Sequence, residues 1–102
     1  MAARVFAVLV RGPSMVPTLR DGDALLAVRT TSVHSGSVVL ARFRSRPDLL
    51  VVKRAVRQAD DGWWIEGDNG AVADDSRRYG VADVVGRVVL RYWPVSRWRM
   101  FG

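Results

Sequence analysis

One lysine, one histidine and no cysteine occur in this 102-residue chain, so few side chains are able to drive covalent chemistry. Without cysteine there is no thiolate nucleophile, no disulfide and no sulfur-ligated metal. The single imidazole, His34, sits in the polar stretch Ser32–Gly36. It is too few ligands for a zinc site and a poor placement for a Ser-His-Asp triad, so neither a metal nor a cofactor is expected. Fifteen of the sixteen basic residues are arginine, which stays protonated in proteins, leaving Lys53 as the one basic side chain that could serve as a general base. It lies in the apolar run Leu49-Leu50-Val51-Val52-Lys53-Arg54-Ala55-Val56, where a strand would put Val51, Lys53 and Ala55 on one face. Burial there is expected to bring the amine from about 10.4 toward the roughly 7–8 suited to a base near neutral pH. A serine nucleophile needs such a base, and Ser14 stands in the unusual loop Gly12-Pro13-Ser14-Met15-Val16-Pro17-Thr18-Leu19. Two prolines stiffen that loop, and Met15 and Leu19 are apolar where a solvated loop would be polar.

The elements that must position these groups read as short β-strands. Eighteen valines stand against eight leucines and one isoleucine, and β-branched side chains favour strands. Strands are predicted at 5–10, 24–29, 37–43, 49–57, 63–66 and 86–92, with 81–85 open between strand and one helical turn. Residues 58–62 read as a hairpin connection, with Asp61-Gly62 as its turn signal. The fourteen residues Gly67–Gly80 form a loop too long to be a mere connection in so small a domain. The expectation is a single mostly β domain over 1–102, a small coiled sheet or barrel with little helix, with 93–102 as an Arg/Trp-rich end that could fray.

Taken together, the motifs resemble type I signal peptidases. Ser14-Met15-Val16-Pro17-Thr18-Leu19 is similar to that family's nucleophile box, and Val52-Lys53-Arg54 to its lysine box. Gly67-Asp68-Asn69, with Asp75-Ser76-Arg77 and Gly80, is similar to its third box. The resemblance covers the chain from Val10 to about Gly86 and implies a Ser-Lys endopeptidase on a coiled all-β fold, shared more distantly with LexA-like self-cleaving repressors. It implies Ser14 as nucleophile, Lys53 as general base, and Asp75 and Arg77 as a supporting ion pair near the lysine. Because Pro13 has no N–H, the backbone donors left beside the nucleophile for an oxyanion hole are the Gly12 and Ser14 amides. Ala73 replaces a serine that in the family helps orient the lysine, so Ser76 or water is expected to take that part. Within the family, the sequence looks most like the small anchorless proteases that mature nickel-type superoxide dismutase. The run Leu50-Val51-Val52-Lys53-Arg54-Ala55-Val56-Arg57, the Gly62-Trp63-Trp64 stretch and the ending Gly86-Arg87-Val88-Val89-Leu90-Arg91-Tyr92-Trp93-Pro94 carry that likeness. The implied partner is a precursor protein losing an N-terminal pro-segment, with general signal-peptidase-like processing of secretory preproteins as the alternative.

Read singly, the same residues have plainer explanations. Ser14 could cap a helical turn, Lys53 could snorkel to solvent, and Asp75 with Arg77 could be only structural. The net charge of +6 raises a non-enzymatic alternative, a basic β domain for nucleic acid or membrane. Arg42, Arg44 and Arg46 would line one face of an extended segment, yet no RNA-binding aromatic signature accompanies them, so nucleic acid is not an expected partner. The ending Arg91–Phe101 mixes Trp with Arg, which keeps peripheral membrane contact open. The apolar run Val5–Val10 is far short of the roughly 20 residues needed to span a bilayer, so the expected location is cytoplasmic, or peripheral at a membrane.

Overall fold

The computed structural model describes residues 4–102. Its strands are β1 (Val5–Leu9), β2 (Ala24–Arg29), β3 (Val38–Phe43), β4 (Arg46–Ala59), β5 (Gly62–Glu66), β6 (Ala82–Trp93) and β7 (Arg99–Met100). One helical turn, α1 (Ser76–Tyr79), and a 3₁₀ turn (Val95–Arg97) complete it. All strand pairings are antiparallel and follow the order β1-β2-β6-β3-β4-β5, with β7 on β6 and a further β5–β6 contact at Trp63 and Ala82. The mostly β architecture read from the valine-rich sequence is the one observed.

The twelve-residue β6 unites what the sequence suggested were two segments, and it divides the molecule. Its first half closes a small barrel with β3, β4 and β5 around Val39, Ala41, Phe43, Ala55, Trp63, Ile65, Ala82 and Val84. Its second half joins β2 in an open sheet, over a second core of Val10, Met15, Leu19, Leu25, Val38, Val88 and Phe101. Gly86 marks the crossing, where any Cβ would lie 2.7 Å from the Val28 carbonyl, so only glycine permits β2 and β6 to approach this closely. No described helix is long and apolar enough to cross a membrane.

Three local expectations need correction. The β4–β5 turn is formed by Asp60 and Asp61, both at positive φ, while Gly62 already pairs with Ala59 as the first residue of β5. Gly62 is glycine for a packing reason, since a Cβ would fall 2.5 Å from the Ala82 carbonyl. Residues 42–46 are not one extended stripe, because the chain turns at Arg44-Ser45 and Phe43 pairs with Arg46. The three arginines there are engaged separately, Arg42 with the Pro47 carbonyl, Arg44 with Asp83 and Arg46 with Asp48. Residues 93–102 carry the 3₁₀ turn and β7, and they bury Phe101, whose amide bonds the Val89 carbonyl.

Candidate active site

The loop after β1 and the middle of β4 converge although 39 residues separate them: Lys53 Nζ donates to Ser14 Oγ at 2.5 Å. The loop reaches this position because Met15 and Leu19 are fully buried in the second core, so the apolar residues that looked out of place in a loop are its anchors. Lys53 is only 5% exposed. Burial holds its amine below the ordinary lysine range, against an opposing pull from the carboxylates of Asp75 and Asp74. A lysine in this state can lose its proton and accept the serine's.

Asp75 is fully buried at the N-terminus of α1, where it caps the turn by accepting the Arg77 N–H. Burial alone would raise its carboxyl, but bonds from the Arg77 side chain and from the Gly67 and Arg77 amides outweigh this and hold it below the usual range. The Arg77 pairing is bidentate, with Nη2–Oδ2 at 2.7 Å and Nε–Oδ1 at 3.0 Å. Ser76 is buried as well, but its hydroxyl accepts the Ile65 N–H at 2.8 Å and so ties α1 to β5. Ala73 is exposed.

Several residues that hold the loop of Ser14 had no role assigned from sequence. Asn69 N–H donates to the Ser14 carbonyl at 2.9 Å, and its side-chain amide donates to the Pro13 carbonyl at 3.1 Å. Asp68 accepts from Thr18 Oγ1 at 2.6 Å and from Arg54 at 2.7 Å. Gly67 passes so near Ser14 that a Cβ there would lie 2.5 Å from the Ser14 carbonyl oxygen. The motif Gly67-Asp68-Asn69 was visible in the sequence, but what each member touches depends on a loop more than fifty residues away.

The two amides expected to serve an oxyanion differ. Gly12, at φ +83, donates its N–H to Asp21 Oδ1 at 2.8 Å. The Ser14 N–H has no acceptor among the described residues. In this structure, therefore, the unengaged amide beside Ser14 Oγ is that of Ser14 itself, and Gly12 would have to leave Asp21 to join it. No cluster among the described residues offers three or more metal-ligating side chains.

Ser14 and Lys53 line a largely apolar cleft of about 430 Å³, walled by Val8–Arg11 on one side and Leu49–Val52 on the other. Each wall presents a strand with an unpaired edge. Among the described residues β1 pairs only with β2, and β4 between Arg46 and Lys53 pairs only with β3. An extended peptide could hydrogen-bond to either edge with its backbone passing Ser14.

Residues 1–89 match the family model described as Peptidase S24-like. The chain belongs to the Peptidase S24-like family. Among its relatives, mitochondrial inner membrane protease subunit 1 of Xenopus tropicalis is 31% identical, over 87% of this chain and 70% of the relative. The human protein of the same name is 28% identical over the same shares. Mitochondrial ATP-independent inner membrane protease subunit 1a of Arabidopsis thaliana is 32% identical, over 83% of this chain and 68% of the relative. For this S24-like chain the signal-peptidase-like likeness read from three short boxes thus extends across most of its length.

Proposed function

We propose that this chain is a serine endopeptidase in which Ser14 is the nucleophile and Lys53 the general base. The observation that carries the reading is the direct Lys53 Nζ–Ser14 Oγ hydrogen bond in a buried, apolar setting at the floor of a peptide-sized cleft. Neutral Lys53 takes the hydroxyl proton as Oγ attacks the scissile carbonyl carbon, and the oxygen's new negative charge is met by the Ser14 N–H. When the C–N bond breaks, Lys53 returns the proton to the leaving amine, and the acyl group stays on Oγ as an ester. Lys53 then takes a proton from water as the water oxygen attacks the ester carbonyl, and returns it to Ser14 Oγ as the C–O bond breaks and the new carboxyl end leaves. Asp75 and Arg77 set the electrostatic surroundings of the lysine. Arg77 offsets part of the pull by which the Asp75 carboxylate favours the protonated amine.

The substrate is a precursor protein that loses an N-terminal segment presented as an extended strand. Nickel-type superoxide dismutase is the candidate precursor, on the strength of the sequence likeness around Gly62-Trp63-Trp64 and Gly86–Pro94. The names of the relatives, which are inner membrane proteases, favour a second candidate class, preproteins processed at a membrane. Incubating the purified protein with both kinds of precursor and sequencing the new amino termini tests the reading. A defined new terminus that disappears with Ser14→Ala is expected, and cleavage persisting in Ser14→Ala would overturn it.

A further inference from the structure

Arg11 stands on the wall of the cleft without a partner of its own. It lies just past β1, next to Val10, which is buried in the second core, and is itself exposed. Its guanidinium makes no hydrogen bond, ion pair or ring contact with any described residue. The arginines that surround the Ser14 loop and α1 are engaged instead, Arg54 by Asp68, Arg77 by Asp75 and Arg78 by Asp74.

The cleft sets this cation beside the reacting groups. A smaller hollow of about 240 Å³ adjoins the larger one, and Arg11, Ser14 and Lys53 line both. Asp74 lines the smaller hollow, whereas no acidic side chain lines the larger. With Lys53 neutral as the base, Arg11 is the one standing charge on the larger hollow's walls, among Val8, Leu9, Leu49 and Leu50. A guanidinium offers a planar fork of N–H groups, and the group that matches it is a carboxylate, which accepts two parallel bonds. A peptide lying in the cleft displaces water from these apolar walls, so the pair is stronger there than on an open surface.

We propose that Arg11 selects substrates that carry an aspartate or glutamate close to the scissile bond, by pairing with that carboxylate as the peptide lies along the cleft. Arg11 is three residues from Ser14, and an extended peptide advances about 3.3 Å per residue, so the acidic side chain falls within about three residues of the bond. A lysine at that position would be repelled. In the smaller hollow Asp74, although held by Arg78, opposes a carboxylate, so the larger hollow is where the acid fits. The inference rests on the peptidase reading for the place of the bond at Ser14 and adds the charge of a neighbouring residue.

Peptide binding and cleavage test it separately. Ser14→Ala, which cannot form the acyl ester, is titrated with end-capped ten-residue peptides of alanine, valine and serine that bear Asp, Asn or Lys at one position in turn, and the parent is assayed for cleavage of the same set. At one position at least, the Asp peptide should bind about three- to tenfold more tightly than the Asn peptide and the Lys peptide more weakly, with the gap narrowing as salt rises. Adding Arg11→Glu should invert the order of Asp and Lys. Arg87→Gln removes an equal charge outside the cleft and should leave the order as it is. The parent's kcat/KM values should follow the binding order. Equal affinities at every position, or a preference for Asp that persists in Arg11→Glu, would overturn the proposal. Cleavage absent from the parent or persisting in Ser14→Ala would count against the peptidase reading instead, and the binding order would still decide the part played by Arg11.

Discussion

Arg91 Nη1 donates to the Thr18 carbonyl at 2.7 Å and so joins the far end of β6 to the loop that carries Ser14. The same guanidinium donates to the Arg97 carbonyl through Nε and lies 3.5 Å from Asp23, which also pairs with Arg97 at 2.8 Å. Arg91 and Asp23 are both buried, so the network is satisfied by design of the fold and expensive to break. Arg91→Met should destabilise the protein by about 2–4 kcal/mol in urea unfolding. Arg91→Lys keeps the charge near Asp23 but not the guanidinium fork that reaches two carbonyls, and it should fall in between. If both variants match the parent in stability, the clamp is without consequence.

Lys53 gives a prediction whose sign is fixed by linkage. Burial depresses its pKa in the fold, whereas the unfolded chain has the ordinary value of about 10.4, so between the two values the unfolded state binds the extra proton. Stability contributed by this group therefore rises with pH through that window, and the full penalty remains below both values. Lys53→Met has no charge to desolvate and should be inactive yet more stable near neutral pH, by on the order of 1 kcal/mol, with a flatter pH dependence. Urea titrations of the two proteins across pH check this, and equal stability with equal slopes would mean a solvated lysine.

Removing Arg77 should move the pH profile of cleavage. Asp75 pulls the Lys53 amine toward its protonated form, and Arg77 offsets part of that pull through two bonds to the carboxylate. In Arg77→Ala the less balanced carboxylate should raise the pKa of Lys53, shifting the rise of kcat/KM with pH to more alkaline values. Arg44→Ala, which removes an exposed ion pair with Asp83, should leave the profile in place. Superimposable profiles for the parent and both variants would rule out an electrostatic role for the Asp75–Arg77 pair.

Gly67 and Gly70 make a matched pair for testing the Ser14 loop. A Cβ at Gly67 meets the Ser14 carbonyl oxygen at 2.5 Å, while one at Gly70 meets nothing within 4 Å. Gly67→Ala must displace the Ser14 backbone and should lower kcat by roughly tenfold or more, since a small misplacement of a reacting group is costly. Gly70→Ala should retain parent activity, and equal kcat values in the two variants would show that the loop tolerates the shift.

The class of fold was legible in the sequence, and so were the residue types from which the proposed chemistry is drawn. A sole lysine in an apolar run, a serine in a proline-stiffened loop and the absence of cysteine leave few mechanisms, because these are properties of residue types. Short apolar segments bounded by turn residues likewise identified β2, β3 and β5 closely, since local propensity and patterning act over a few residues. What required the tertiary structure are relationships over long separations. The Gly12 amide meets Asp21, Arg91 meets Thr18 across 73 residues, and Ser76 turns to Ile65. Which amide is left to meet an oxyanion, which glycine is obligatory and which apolar face is outward all depend on strand register and on how β6 spans both cores. A chain read in one dimension specifies each donor and acceptor but not its partner, and the partner is fixed only when the strands have paired.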